Sequence, residues 1–158
     1  MQTYSLMPIG TIRSDEHGMR LELLPTYACA LDGLSGFSHL QVLWWFDGCD
    51  NPASRAKTAE PCPYKGAPET LGTFATRSPE RPNPIALSCC RITQLDEQNG
   101  VLWLDYIDAE DGSPLLDLKP YTPSLDRIQH PDVPNWCANW PQSVEQSAAF
   151  DWGSVFHF

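Results

Sequence analysis

Positive charge is scarce in this chain. Ten Lys and Arg stand against 20 Asp and Glu in 158 residues, a net charge of −10. Bulk electrostatics in so acidic a protein does not hold nucleic acid, and any polyanion must meet a local basic patch. Long apolar runs are missing as well. None approaches the roughly 18 residues that cross a membrane, so no membrane partner is expected. Met1 to Arg13 holds no basic stretch followed by an apolar one. No secretory signal is expected there, and a cytoplasmic location follows. The histidines at 17, 39, 130 and 157 show no His-Glu-x-x-His spacing, so no metal site is expected. His39, before an apolar strand, reads as structural. The six cysteines form no Cys-x-x-Cys pair, which excludes a zinc ribbon or a thioredoxin-type motif. Reduced thiols are the expectation, with a Cys49–Cys62 bridge as the alternative. There is no Gly-x-Gly-x-x-Gly loop and no Gly-x-Ser-x-Gly elbow, so neither a Rossmann site nor a serine hydrolase is indicated.

What is abundant is proline and aromatic surface: 15 Pro, six Trp, six Phe and five Tyr. Proline removes a donor and breaks helices, which argues against a helical bundle. Plentiful aromatics argue against disorder. Short runs read as strands at Met7–Arg13, Arg20–Leu24, Leu40–Phe46, Leu71–Arg77, Ile85–Leu95 and Val101–Asp108. Asn99-Gly100 between the last two favours a tight hairpin. In the last run Leu102, Leu104 and Tyr106 share one face, and Val101, Trp103, Asp105 and Ile107 the other. Apolar bulk on both faces suits a closed barrel or a sheet covered on both sides. No strand alternates with a long helical pattern, so βαβ units are disfavoured. The reading is an all-β, mainly antiparallel barrel over residues 1–125. Residues 126–158 form a short helical or irregular tail. Asp47 to Thr70 holds four prolines and reads as a long loop. The tail carries Trp136, Trp140, Trp152, Phe156 and Phe158 with little charge, so it must pack on the barrel or on a second subunit. A short helix is expected near Ser143–Phe150.

Two segments stand out for chemistry. In Gly72-Thr-Phe-Ala-Thr-Arg77-Ser-Pro-Glu-Arg81-Pro-Asn-Pro-Ile85, Pro79, Pro82 and Pro84 fix φ and restrict the residues before them. A rigid loop then presents Arg77, Ser78, Arg81 and Asn83. Its arginines either clamp a carboxylate or phosphate, or stack on a base, or simply pair with nearby acids. In Asp111-Gly112-Ser113-Pro114 and the following Leu116-Asp117-Leu118-Lys119-Pro120-Tyr121, the first four residues read as a turn. Asp117 and Lys119 project to one strand face, either as a structural ion pair or as an acid and an ammonium at a site.

Taken in order, Pro8-Ile-Gly-Thr-Ile-Arg13-Ser14, Gly36-Phe-Ser-His-Leu40, the Gly72–Ile85 run and the Asp111–Tyr121 run resemble the TsaA-like family, also called the TrmO or YaeB/VirR family. The resemblance covers about residues 7 to 123. It implies a small β-barrel, usually a homodimer, that uses S-adenosyl-L-methionine as cofactor outside any Rossmann crevice. The implied reaction methylates the exocyclic amine of a threonylcarbamoyl-adenosine beside the anticodon, so tRNA is the implied partner. A small-molecule or peptide acceptor, or a non-catalytic nucleotide- or protein-binding barrel, are the alternatives. By motif matching, Arg77, Leu87, the turn Asp111, Gly112, Ser113 and Pro114, and Phe46 with Asp47 correspond to cofactor-contacting positions. Ser78, Arg81 and Asn83 join them from the same loop. Asp117, Lys119 and Tyr121 are the catalytic candidates. The chain departs from the family after Ser14, where only Asp15-Glu16-His17-Gly18 replaces a longer loop. Asp47 stands where a histidine is common, Ala86 where glycine is usual, and Ser113 where threonine is usual.

Overall fold

The computed structural model describes residues 2–157. The strands, in chain order, are β1 (Gly10–Asp15), β2 (Gly18–Leu23), β3 (His39–Trp45), β4 (Ala59–Pro61), β5 (Thr70–Gly72), β6 (Ile85–Asp96), β7 (Val101–Leu104) and β8 (Pro114–Pro120). Contacts divide the chain into two units: Met1–Asp50 with Pro84–Arg127, and Asn51–Asn83 with Ile128–Phe158.

The first unit is a closed antiparallel barrel with strand order β1-β2-β7-β6-β3-β8. Period-2 alternation builds it. Along β3, Leu40, Val42 and Trp44 point inward, and His39, Gln41, Leu43 and Trp45 are partly exposed. Ile12, Leu21, Leu40, Val42, Leu102 and Leu115 form the centre of the core. Closure removes the free edges that an open sheet would expose. Glycine is required at position 10: a Cβ there would lie 2.3 Å from the Glu22 carbonyl oxygen of the paired strand. The segment after Ser14 is a two-residue hairpin, with Asp15 paired to Gly18 and Gly18 at φ +104°.

The expected hairpin at 96–100 joins β6 to β7, with Asp96 opposite Val101. Gly100 carries the positive φ of +67°; Asn99 instead donates its amide to the Asp96 carboxylate at 3.1 Å. Strand limits differ from the sequence reading: β1 begins at Gly10 rather than Met7, β2, β3 and β6 shift by one or two residues, and two runs are cut short. β7 stops at Leu104, so the alternation does not run on to Asp108; Ile107 turns inward and Tyr106 outward. The Asp105 carboxylate takes the backbone amides of Arg91 and Tyr106, which ends the strand's regular run. The run expected at Leu71–Arg77 keeps only Thr70–Gly72 as strand and then tightens into a 3₁₀ turn at Thr73–Ala75. β8 begins at Pro114, the last residue of the expected turn, and contains the strand expected at Leu116–Lys119.

In the second unit, β4 and β5 pair in a small hairpin. The helix α1 (Pro52–Arg55) is capped by Asn51, whose side chain accepts from Ser54 N at 3.0 Å. After α2 (Pro123–Asp126), which belongs to the first unit, comes α3 (Val144–Ser147). It fulfils the expectation of a short helix near 143–150, with Ser143 as its cap. The tail's rings gather on Tyr64, which stacks on Trp136 at 5.3 Å and meets Trp140 edge-on at 5.0 Å and Phe156 at 5.5 Å. Phe158 lies outside the described residues. All six cysteines are free thiols.

Candidate functional site

The barrel wall gathers several of the sequence candidates on its outer face. Between Leu43 and Trp44 the β3–β8 register shifts: Leu43 faces Asp117, yet Trp44 faces Leu115. Leu116 is the extra residue of a bulge. Without it, Leu115, Asp117 and Lys119 would share one face. With it, Leu115 stays in the core while Asp117 and Lys119 turn outward, opposite Leu43 and Gln41. On the other side of β3, Leu43 faces Leu87 of β6 and Gln41 faces Cys89. Leu87, Leu43 and Asp117 therefore lie in one row across three strands, with Cys89, Gln41 and Lys119 in the next. Leu87 is 47% exposed, an apolar side chain open to solvent. Lys119 Nζ lies 2.6 Å from Asp117 Oδ2, so the two do form the ion pair the alternation allowed. Tyr121, half-buried, continues past β8; its amide donates to the His39 carbonyl at 2.9 Å, and its ring meets His39 edge-on.

A second group lies at one end of the barrel. The register places the end of β3 beside the starts of β6 and β8. Phe46 continues from β3, packs edge-on against Trp44 at 4.5 Å and receives its place from a bond to the Pro84 carbonyl at 2.9 Å. Asp47 opens the next 3₁₀ turn and is exposed. The Asp111–Pro114 turn is tied to β1. Asp111 accepts from Ser14 N at 3.1 Å, Gly112 N donates to the Ile12 carbonyl at 2.9 Å, and Ile12 N donates to the Ser113 carbonyl at 2.9 Å. Ser113 Oγ donates to the Glu110 carbonyl at 2.8 Å. Arg13 stands 3.8 Å from Asp111 and 3.1 Å from Glu22, so β1 and β2 brace this turn. Gly112 sits at φ +87°, and a Cβ there would meet nothing within 4 Å. With the amides of Gly112 and Ser113 spent, what this open turn has to offer a ligand is acceptor oxygens.

The proline-rich loop belongs to the second unit. Arg81 turns inward, its Nη2 3.4 Å from the carbonyls of both Thr73 and Thr76. Ser78 donates its hydroxyl to Glu60 at 2.8 Å. Glu80 accepts from Ser54 Oγ at 3.2 Å and from Lys57 at 2.5 Å. Lys57, and then Ser54, hold the Glu80 carboxyl below its usual value; Glu80 and then Glu60 raise Lys57. Arg77 and Asn83 remain exposed. The backbone amide of Arg77 bonds the Tyr64 hydroxyl, whose pKa burial raises against that bond. More than the prolines holds the path of this loop: Glu60, Glu80, Thr73 and Thr76 bond it, and no motif reading singled them out. Leu43, the middle of the barrel row, was missed too; its alternation with core residues in β3 is the signal that would have placed it on the outer face. Among the described residues, no group of three or more His, Cys, Asp or Glu side chains could hold a metal ion, and no helix is long and apolar enough to cross a membrane.

The matched residues suit S-adenosyl-L-methionine chemically. The barrel unit offers an apolar surface at Leu87 and acceptor oxygens at Asp47 and at the Asp111 turn. The second unit offers a guanidinium at Arg77.

Comparison with known proteins gives three results. Residues 2–127 match the family model for the tRNA-methyltransferase O N-terminal domain. A putative S-adenosylmethionine-dependent methyltransferase RcsF of Pseudomonas aeruginosa is 36% identical over 88% of this chain and 65% of its own length. A tRNA (adenine(37)-N6)-methyltransferase of Eikenella corrodens is 39% identical over 69% of this chain and 61% of its own. The crystal structure of TrmO from P. aeruginosa superimposes with a TM-score of 0.64 at 35% identity, over 84% of this chain and 61% of that one. The chain thus spans less than two thirds of the length of each of these three relatives.

Proposed function

This chain belongs to the tRNA-methyltransferase O N-terminal domain family, and on that premise we propose that it is an S-adenosyl-L-methionine-dependent methyltransferase acting on the N6 amine of adenosine 37 in tRNA, in the cytoplasm. The observation that carries the reading is the outer row of the barrel, where Leu87 and Asp117 flank Leu43 with Lys119 in the next row. A methyl acceptor that is an amine must be placed in line and relieved of a proton.

The cofactor supplies an electrophilic methyl group on a sulfonium. The chain's residues do the rest. Leu87 gives the adenine ring apolar contact, and the acceptor oxygens of Asp47 and the Asp111–Pro114 turn take hydrogen bonds from amine or hydroxyl groups. Asp117 orients the acceptor amine and takes the proton it sheds, with Lys119 fixing the carboxylate. Tyr121 borders this row from the far end of β8. Arg77 meets an anion, either the cofactor's carboxylate or a tRNA phosphate. Ser78 and Arg81, with their side chains engaged in the loop, position Arg77 rather than touch a ligand. Most of the rate would come from positioning.

The apolar outer pair Trp45–Ile85, next to Leu43–Leu87, also supports a homodimer, because an exposed apolar stripe favours a self-complementary partner. Light scattering that returns a monomer mass at working concentration would remove that part. The activity itself is tested by calorimetry with S-adenosyl-L-methionine and by transfer of labelled methyl to tRNA. The expected result is cofactor binding by the wild type, weakened by Leu87→Asp, and transfer lost in Asp117→Asn with cofactor affinity kept. Transfer retained by Asp117→Asn overturns the proton assignment; no transfer to tRNA by the wild type overturns the reading.

A further inference from the structure

Gln41 stands on the outer wall of the barrel, opposite Cys89 of β6 on one side and Lys119 of β8 on the other. The next row along β3 is Leu43, between Leu87 and Asp117. Diagonal neighbours across an antiparallel pair lie about 7–8 Å apart, within reach of long side chains. Gln41 therefore has Asp117 on one diagonal and Leu87 on the other. The polar groups of these two rows differ in what they have left to offer. Asp117 and Lys119 bond each other at 2.6 Å. The Gln41 amide, partly buried, has no hydrogen-bond partner among the described residues. It keeps both a donor and an acceptor free.

A glutamine that bonds only water is ordinary on a protein surface. The setting of Gln41 makes it selective. A flat ligand laid on Leu43 and Leu87 removes water from the amide beside them. An amide stripped of water and left unpaired costs more than a made bond returns. Whatever covers this wall must therefore present Gln41 with a matching group. Sites built to pair a polar atom reject analogues that lack it for the same reason. An adenine whose N6 is brought to Asp117 presents N7, an acceptor, on the same edge, and this is the edge that Asn and Gln amides read in nucleic acids. A carboxylate cannot donate to N7, and the Lys119 ammonium is held by Asp117. The donor falls to Gln41, which reaches in from β3 while Asp117 reaches in from β8.

We propose that Gln41 is a specificity-determining residue for the methyl acceptor: its Nε2 donates to N7 of the adenine whose N6 faces Asp117. The inference rests on the tRNA reading above and names the edge of the base that this wall reads. It is tested with an anticodon stem-loop RNA carrying threonylcarbamoyl-adenosine at position 37, and with the same RNA carrying the 7-deaza analogue, in which carbon replaces N7. Methyl transfer is measured for the wild type and for Gln41→Met, which keeps the length of the side chain but has no donor. The wild type should lose roughly tenfold in kcat/KM on the 7-deaza RNA, as the loss of one desolvated hydrogen bond gives. Gln41→Met should lose about as much on the unaltered RNA and nothing further on the 7-deaza one. A side chain that only supports the wall would lower transfer to both RNAs and leave the discrimination intact. S-adenosyl-L-methionine binding by calorimetry should be the same in both proteins. If Gln41→Met discriminates against the 7-deaza RNA as strongly as the wild type, the assignment to Gln41 is wrong while the tRNA reading stands. Equal transfer by the wild type to both RNAs means that N7 is not read, with the same consequence. If Gln41→Met weakens cofactor binding, the amide serves the cofactor's own adenine, and the proposal is overturned. If the wild type methylates neither RNA, the tRNA reading falls and this inference with it.

Discussion

The two units of this chain are held together in different ways. The barrel is a ring of six strands in which each strand bonds two neighbours through the backbone, around a core of aliphatic side chains. The second unit has two three-residue strands, a web of hydroxyls and carboxylates on carbonyls and amides, and rings gathered on Tyr64 and Trp140. In the first, a side chain contributes mainly volume and apolar area. In the second, single polar atoms and single rings fix the chain path. The barrel is therefore expected to fail as a whole and the second unit locally.

The sharpest way to show the barrel's cooperativity is to empty part of its core. Leu21 is fully buried. Leu21→Ala should cost about 2–5 kcal/mol, as truncation of a buried leucine does. Urea unfolding followed by far-UV circular dichroism should shift as one transition. A second, earlier transition would mean that β1–β2 separates from the rest of the ring. The parallel experiment in the other unit is Trp140→Ala. Trp140 meets Tyr64, Trp136 and Trp152 edge-on, at 5.0, 5.5 and 5.4 Å between ring centres. Each such pair adds about 0.5–1.5 kcal/mol beyond its buried area. The near-UV spectrum and the amide protection of residues 128–157 should weaken, with protection in β1, β2 and β7 unchanged. If the barrel amides open as well, the two units fold as one and the comparison fails.

The same difference explains what the sequence made legible. Alternation predicts β1, β2, β3, β6 and β7, because a barrel strand with one face in the core must repeat every second residue. It does not predict that β7 ends at Leu104, since Asp105 ends it with hydrogen bonds that leave no periodic trace. Nor does it find the bulge at Leu116. Asp117 and Lys119 were correctly placed on one face, but that this face is the outer one depends on one extra residue in the register with β3. In the second unit the prolines announced a rigid loop. Which arginine would remain exposed was not legible. Arg77 and Arg81 look alike in sequence, and it is the carbonyls of Thr73 and Thr76 that draw Arg81 inward.

Acid should distinguish the units more gently. The Glu80 carboxyl, held below the usual 4.5 of a glutamate by Lys57 and then Ser54, is a group whose pKa falls on folding. Such a group contributes stability above its unfolded value and loses it as pH drops through the lowered folded one. The second unit should therefore loosen as pH falls below about 4.5, and Glu80→Gln should flatten that limb while lowering stability at neutral pH. Hydrogen exchange at residues 54–60 between pH 3 and 7 reads this directly. An unchanged acid limb in Glu80→Gln would place the sensitivity elsewhere.

The smallest effect on stability is expected at the pair most important to the proposed chemistry. Lys119 and Asp117 have side chains 63% and 47% exposed, and their ion pair at 2.6 Å lies on the outer wall of the barrel. Water screens such a pair, and exposed pairs contribute about 0.2–1 kcal/mol. Lys119→Ala should thus leave the urea midpoint nearly in place. Methyl transfer should respond differently, because a carboxylate without its ammonium partner no longer holds one orientation toward an amine. A fall in kcat with unchanged cofactor affinity and unchanged stability separates a working pair from a decorative one. If kcat is also unchanged, Asp117 acts without Lys119, and the outer row owes its chemistry to Leu87 and Asp117 alone. Lys119→Arg, which keeps the charge but not the point geometry of an ammonium, should fall between the two.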